Sequence, residues 1–258
     1  MSGQVDYNTI APTYNRRFGA QSHDDMLLSL QNLARALDVT QVLEVGCGTG
    51  HWLAGLSQAG FRMCGLDYSA GMLAEAQLSS QDLSLVQGRA EELPFPESTF
   101  DLVYCVNAIH HFQRQRDFIE QARRVLRPGG ALAVLGMDPR GCRDEWYVYE
   151  YFDSTYETDL ARFPSWGQVL DWMAEMGFER MELRPVAIAG ETKYGRAVLE
   201  DPFLAKYACS QLALLTDQAY AAGLECIHQV LRDAEAQRSS AVFPTTIRIH
   251  QLVGWLNM

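Results

Sequence analysis

The chain has 258 residues, 21 basic against 32 acidic for a formal net charge of −11, with 48% hydrophobic and 10% aromatic residues. That length and apolar share suit one ordinary α/β globular domain with a sizeable core. The acidic excess argues against nucleic acids and anionic membrane surfaces as partners, because those are held by clustered Lys and Arg.

The first predicted element is a helical segment within residues 1–23, where Tyr7, Ala11, Tyr14 and Phe18 recur at helical spacing. Such a helix would place Pro12 in its first turn. Met26, Leu30, Leu33 and Leu37 form a 4-3-4 stripe, predicting an amphipathic helix over 24–37 that starts near Ser22 or His23.

A buried parallel strand over 41–46 then breaks into Gly46-Cys47-Gly48-Thr49-Gly50, with a helix over about 50–59 behind it that ends at Gly60. Glycines at alternate positions let the backbone approach a ligand closely, and the helix N-terminus offers free N–H groups and partial positive charge. The dinucleotide fingerprint requires a third glycine where this chain has His51, and no Gly-Lys-Ser/Thr follows for a P-loop. The next strand, Phe61 to Asp67, ends in an acid 17 residues after Gly50, close to the offset at which a carboxylate accepts ribose hydroxyls. Capping the following helix is the other use of an acid in that place.

Loop and acid together resemble the class I S-adenosyl-L-methionine-dependent methyltransferases through their E-x-G-x-G-x-G motif, here Glu44 to Gly50, and most closely the small-molecule, ubiquinone/menaquinone-biosynthesis-like branch. The resemblance implies that Glu44, Gly46, Cys47, Gly48 and Gly50 hold the cofactor, that Asp67 takes the ribose, and that Tyr68 and Met72 lie near the adenosine. It also implies that the N-terminal segment covers the cofactor, with Tyr14 facing cofactor or substrate.

A short third strand over 83–86 leads to Gly88-Arg89-Ala90-Glu91. Relatives carry an Asp where Arg89 stands, so the adenine edge is left to the Ala90 backbone and the Glu91 side chain. A solvated turn is the other reading of Glu91-Glu92. The fourth strand, Phe100 to Asn107, is nearly all apolar and ends in Asn107-Ala108-Ile109-His110-His111. Ligands of open parallel sheets bind outside the C-terminal strand ends, so Asn107, Ala108 and both histidines belong at the site's mouth. Asn107 and Ala108 suit the methionine end of the cofactor. His110 and His111 suit substrate orientation or deprotonation, His111 the more so by resemblance, with a capping or core role as the alternative. No metal is expected, since no further ligand spacing accompanies them. The absence of an Asp/Asn-Pro-Pro-Tyr/Phe motif lowers base and glutamine methylation.

A helix over 114–126, the family-like Leu126-Arg127-Pro128-Gly129-Gly130 turn and a fifth strand over 131–138 complete the region of resemblance. Beyond it, the aromatic segment Trp146 to Tyr156 reads as core, lid or substrate pocket. Ser165 caps a helix over 166–176, Phe178 to Val186 is the sixth strand, and Thr245 to Leu256 the seventh. Between these strands a helical insert over about 189–242 is expected, with helices over 203–215 and around Tyr220, Leu224, Ile227 and Leu231. It would cap the site or make a homodimer face.

The six cysteines form no C-x-x-C pair and read as reduced thiols. No signal-like stretch and no run of about 18 apolar residues is present, so a cytoplasmic protein without membrane association is expected. The fold expected is α/β, a doubly wound, Rossmann-like, seven-stranded and mostly parallel sheet in a single domain over 1–258. The activity expected is methyl transfer from S-adenosyl-L-methionine to an oxygen or carbon nucleophile of a small molecule. The competing readings are a non-catalytic cofactor-binding protein and an NAD-dependent oxidoreductase.

Overall fold

The computed structural model describes residues 5–15, 24–79, 83–141 and 145–258. Helices α1 (Tyr7–Tyr14) and α2 (Asp24–Ala36) lead into β1 (Gln41–Val45), followed by α3 (His51–Gln58), β2 (Arg62–Asp67), α4 (Ala70–Ser79), β3 (Ser84–Gln87), β4 (Phe100–Val106), α5 (Gln115–Val125) and β5 (Leu126–Gly136). Next come β6 (Glu145–Trp146), α6 (Tyr147–Tyr151), α7 (Thr155–Arg162), α8 (Trp166–Glu175), β7 (Arg180–Ala189) and β8 (Lys193–Tyr194). The chain closes with α9 (Ser210–Ala213), α10 (Asp217–Ala236), β9 (Val242–Phe243) and β10 (Thr245–Trp255).

The sheet runs β3-β2-β1-β4-β5-β10, with β7 along β10 and β6 against the start of β10. Strands β1 to β5 are parallel, and β10 is antiparallel to both β5 and β7. The expected mostly parallel, Rossmann-like sheet is therefore present, widened by the two-residue β6. Period-two alternation within the apolar strands feeds two cores. Leu43, Val45, Val103, Leu132 and Val134 pack on α5 and α8 through Phe118, Ile119, Val169 and Met173. Val42, Leu102, Tyr104 and Ala133 pack on α2 and α3 through Met26, Leu30, Leu53 and Leu56. Helices on both faces leave the C-terminal ends of β1, β2, β3 and β4 as one open edge.

The insert packs into a third core, in which Tyr147 of α6 and Phe152 just after it meet Leu212, Ile227, Leu231 and Phe243. Its main helix is α10, which carries the expected stripe. Helix α8 starts on the expected capping box, with Ser165 and Gln168 bonding reciprocally.

Four expectations need correction. Pro12 lies inside α1 near its end, because the helix begins at Tyr7. Residues 203–215 are not one helix: Pro202–Leu204 is a 3₁₀ turn and α9 is four residues long. Helix α5 stops at Val125, and β5 begins immediately, with a register shift between Phe100 and Leu102 absorbing the Pro-Gly-Gly turn. The sixth strand is shifted to Arg180–Ala189, because Phe178 turns into the core between α8 and the sheet. Ser22, His23, Phe18 and Cys142 lie outside the described residues.

Candidate active site

The β1 loop carries positive φ at Gly46, Gly48 and Gly50. Two of these have visible reasons. A Cβ on Gly46 would stand 2.7 Å from the Ala108 Cβ, so the loop can approach the end of β4 only without a side chain. A Cβ on Gly48 would meet nothing within 4 Å, so this residue faces open space, and its N–H donates to Asp67 Oδ2 at 2.8 Å. The other Asp67 oxygen accepts from the Ser69 N–H at 2.8 Å. Each carboxylate oxygen retains a further lone pair for a ligand hydroxyl. Burial pushes the Asp67 carboxyl up from its ordinary value, with the N–H groups of Ser69, Gly48 and Tyr68 pulling the other way.

These loops enclose a cavity of about 360 Å³ at the C-terminal strand ends. Of the residues singled out in the sequence, Tyr14, Gly46, Cys47, Gly48, Asp67, Tyr68, Met72, Ala90, Glu91, Asn107, Ala108 and His111 line it. Asn107 holds φ +49°, uncommon for a side-chain-bearing residue, and its N–H is fixed on the Leu135 carbonyl at 2.9 Å. Glu91 is 8% exposed rather than a solvated turn residue. Its Oε1 accepts the Gln113 and Arg114 N–H groups at 2.6 and 3.2 Å, tying the loop after β3 to the start of α5. Arg89 places its guanidinium 4.6 Å from the Tyr68 ring centroid at the same end.

Glu44 and Gly50, expected to hold the cofactor, do not line this cavity. Glu44 shares a face of β1 with Val42, so it is 1% exposed beneath the loop, where Tyr104 donates to its Oε2 at 3.0 Å and its Oε1 has no hydrogen-bond partner among the described residues. Burial drives this carboxyl well above the ordinary range, against the Tyr104 hydroxyl and the Leu53 N–H of α3. Gly50 starts α3 and faces Ala76 of α4.

A second cavity, of about 130 Å³, lies beneath the insert. Tyr7, Tyr14, Asn107 and His111 line both cavities, so they form the wall between them. Tyr7 and His111 share a hydrogen bond of 2.7 Å between Oη and Nε2, and Tyr14 meets the Tyr7 ring edge-on at 5.9 Å. His110 lines the second cavity but not the first, stacked on Phe163 at 3.8 Å between centroids. Trp146 of the aromatic segment also faces this cavity, while Tyr147 and Phe152 are core. Sequence reasoning took Tyr7 only as part of a helical stripe and passed over Asn8. The Asn8 Oδ1 accepts from the Ser69 hydroxyl and the Gly71 N–H, both at 2.9 Å, fastening α1 to α4.

Residues 43–134 match the family described as Methyltransferase domain. An uncharacterized methyltransferase of Synechocystis sp. is 35% identical over 52% of this chain and 64% of its own length, so the chain spans less than two thirds of that relative. A demethylmenaquinone methyltransferase of Oceanobacillus iheyensis is 29% identical over 55% of this chain and 71% of its own. A solved structure from Anabaena variabilis, provisionally assigned as a methyltransferase of an antibiotic biosynthesis pathway, superposes with a TM-score of 0.70 at 22% identity. That match covers 88% of this chain and 96% of that one.

Sheet order, glycine loop and strand-end acid, together with the methyltransferase-domain match over residues 43–134, make this chain similar to the class I S-adenosyl-L-methionine-dependent methyltransferases. The cofactor of that class is S-adenosyl-L-methionine. The residues present fit that molecule: Gly48 leaves open space at the loop, and Asp67 keeps lone pairs for ribose hydroxyls beside it. Among the described residues no three His, Cys, Asp or Glu side chains converge as a metal site, and no helix is long and apolar enough to cross a membrane.

Proposed function

We propose that this chain transfers a methyl group from S-adenosyl-L-methionine to an oxygen or carbon nucleophile of a small molecule held in the second cavity. The observation that carries this reading is the shared wall: Tyr7, Tyr14, Asn107 and His111 border both chambers. A cofactor in one and an acceptor in the other would meet there.

When bound, the cofactor supplies a methyl carbon already activated by its sulfonium leaving group. The protein's work is therefore positioning and exclusion of water. Asp67 accepts the ribose hydroxyls, the Gly48 loop receives the polar end, and Met72 and Ala90 pack beside the adenosine. Asn107 and the Ala108 backbone orient the methionine end. His111, steadied by the Tyr7 hydroxyl, takes the proton of an acidic acceptor group, and Tyr14 and His110 close the acceptor side. Helix α1 and the insert cover the two chambers.

Calorimetric titration tests the reading. S-adenosylmethionine and S-adenosylhomocysteine should bind at micromolar concentration and NAD should not. Asp67→Ala should weaken both by about 1–3 kcal/mol, as lost buried hydrogen bonds do. Tight NAD binding would return the oxidoreductase reading. Cofactor binding with no turnover across an acceptor screen would favour the non-catalytic one.

A further inference from the structure

Two residues of the second cavity are not used by the methyl-transfer reading. Thr245, at the start of β10, lines the chamber and is only 6% exposed, yet among the described residues its hydroxyl has no hydrogen-bond partner. A buried hydroxyl left unpaired has lost its hydration without compensation, which a ligand group would supply. Gly190 packs directly against this residue, since an added Cβ there would fall 2.0 Å from the Thr245 Cγ2. Gly190 therefore backs the methyl side of Thr245.

Asp201 lines the same chamber. It caps the 3₁₀ turn through the Phe203 N–H at 2.9 Å and accepts from the Tyr147 hydroxyl at 3.0 Å. Both donors are neutral, and among the described residues no Lys, Arg or His forms an ion pair with it. The other acid of the lining, Glu191, differs in being paired with Lys193 at 2.7 Å. Among the described residues no Lys or Arg lines this chamber, whereas the rings of Trp146 and Phe203 do. A carboxylate with only neutral donors beside aromatic faces suits a cation and repels an anion.

We propose that the acceptor chamber selects a small molecule bearing a cationic amino group, held by Asp201, and a hydroxyl or carbonyl, held by Thr245, and that it rejects carboxylates and phosphates. This rests on the methyl-transfer reading for the word acceptor, but the charge preference belongs to the chamber itself.

The test uses three probes that share a phenol and differ in the terminal group: tyramine, neutral tyrosol and anionic hydroxyphenylacetate. Each is titrated into the full chain, with and without saturating S-adenosylhomocysteine. Tyramine should bind at least about tenfold more tightly than tyrosol, and hydroxyphenylacetate should bind most weakly. Asp201→Asn keeps one accepted bond on its amide oxygen and can donate from Nδ2 to the Tyr147 hydroxyl oxygen in place of the other, and it should erase the advantage of tyramine over tyrosol. Thr245→Val should weaken tyramine and tyrosol by a similar factor while leaving their ratio intact. Equal binding of the three probes by the folded wild-type protein, preference for the carboxylate, or no tyramine binding at millimolar concentration overturns the proposal. Failure of S-adenosylhomocysteine to bind would instead count against the methyl-transfer reading, and the titrations without it would still report the charge preference. Should Asp201→Asn not fold, the wild-type ranking and Thr245→Val decide alone.

Discussion

Tyr7 and His111 stand 104 positions apart and meet at 2.7 Å on the wall between the chambers. A phenol hydroxyl on an imidazole nitrogen fixes the ring and biases which nitrogen carries the proton. Tyr7→Phe removes the oxygen and keeps the edge-on ring packing. The turnover of any identified acceptor should fall about tenfold or more, with cofactor affinity unchanged and the His111 ring resonances titrating at a different pH. An unaltered His111 titration would show that the bond has no such influence. Glu44 offers a pH-dependent counterpart. Its folded-state pKa is raised by burial, so the folded chain binds a proton more tightly than the unfolded one. Stability is thus lost as pH rises from the ordinary value of 4.5 through the raised one. Glu44→Gln has no such titration, so its stability relative to wild type should climb with pH over that window in urea melts. A pH-independent difference would contradict this. The sequence showed Glu44 as part of a motif but not which way it faced. Strand alternation puts it with Val42 toward α3, away from the ligand.

Among elements, α10 was legible because its 4-3-4 stripe meets a core, whereas 203–215 was misread because tertiary polar contacts override the local pattern. There Asp201 caps the Phe203 N–H, and α9 is anchored by Ser210 and Gln211, which bond Arg162 and the fully buried Asp159 at 3.1 and 2.6 Å. Such a network, linking α7 to α9, leaves no trace in periodicity. Strands β6, β8 and β9 are two residues long and exist only through their partners, so they were equally invisible. The α10 seat has one measurable weak point. A Cβ on Gly223 would stand 2.2 Å from the ring of Phe152, which is fully buried just after α6. Gly→Ala in a helix ordinarily stabilises by about 1 kcal/mol, but overpacking a filled core costs about 1–3 kcal/mol or more. With an aromatic ring as the obstacle, the second effect should win. Gly223→Ala is expected to lower the thermal midpoint and loosen the second chamber while leaving cofactor affinity near wild type. A raised midpoint would mean that α10 shifts freely on α6.

At the scale of the molecule, the sheet was readable because parallel strands buried on both faces appear as apolar runs ending in glycine, acid or amide. What could not be read was how the N-terminal segment attaches, since polar contacts between distant residues fasten it. Helix α1 is joined to the doubly wound core by Ile10 and Ala11 on Met72, by Tyr7 on His111 and by the paired bonds of Asn8 to Ser69 and Gly71. Because Asp67 also holds the Ser69 N–H, Asn8 and the proposed ribose contact share one turn at the end of β2. A ligand at Asp67 should therefore order α1, and α1 should tighten the ligand by the same free energy. Asn8→Ala removes two acceptor contacts of a surface residue, about 1 kcal/mol each at most. Cofactor affinity should drop several-fold, and hydrogen exchange across residues 7–14 should speed up, most visibly with S-adenosylhomocysteine bound. The exchange of β1 and β4 should stay unchanged, since neither core contains Asn8. If affinity fell with no change in α1 exchange, Asn8 would act through the Ser69 turn alone. If neither moved, α1 would be a passive cover whose position the cofactor site does not sense.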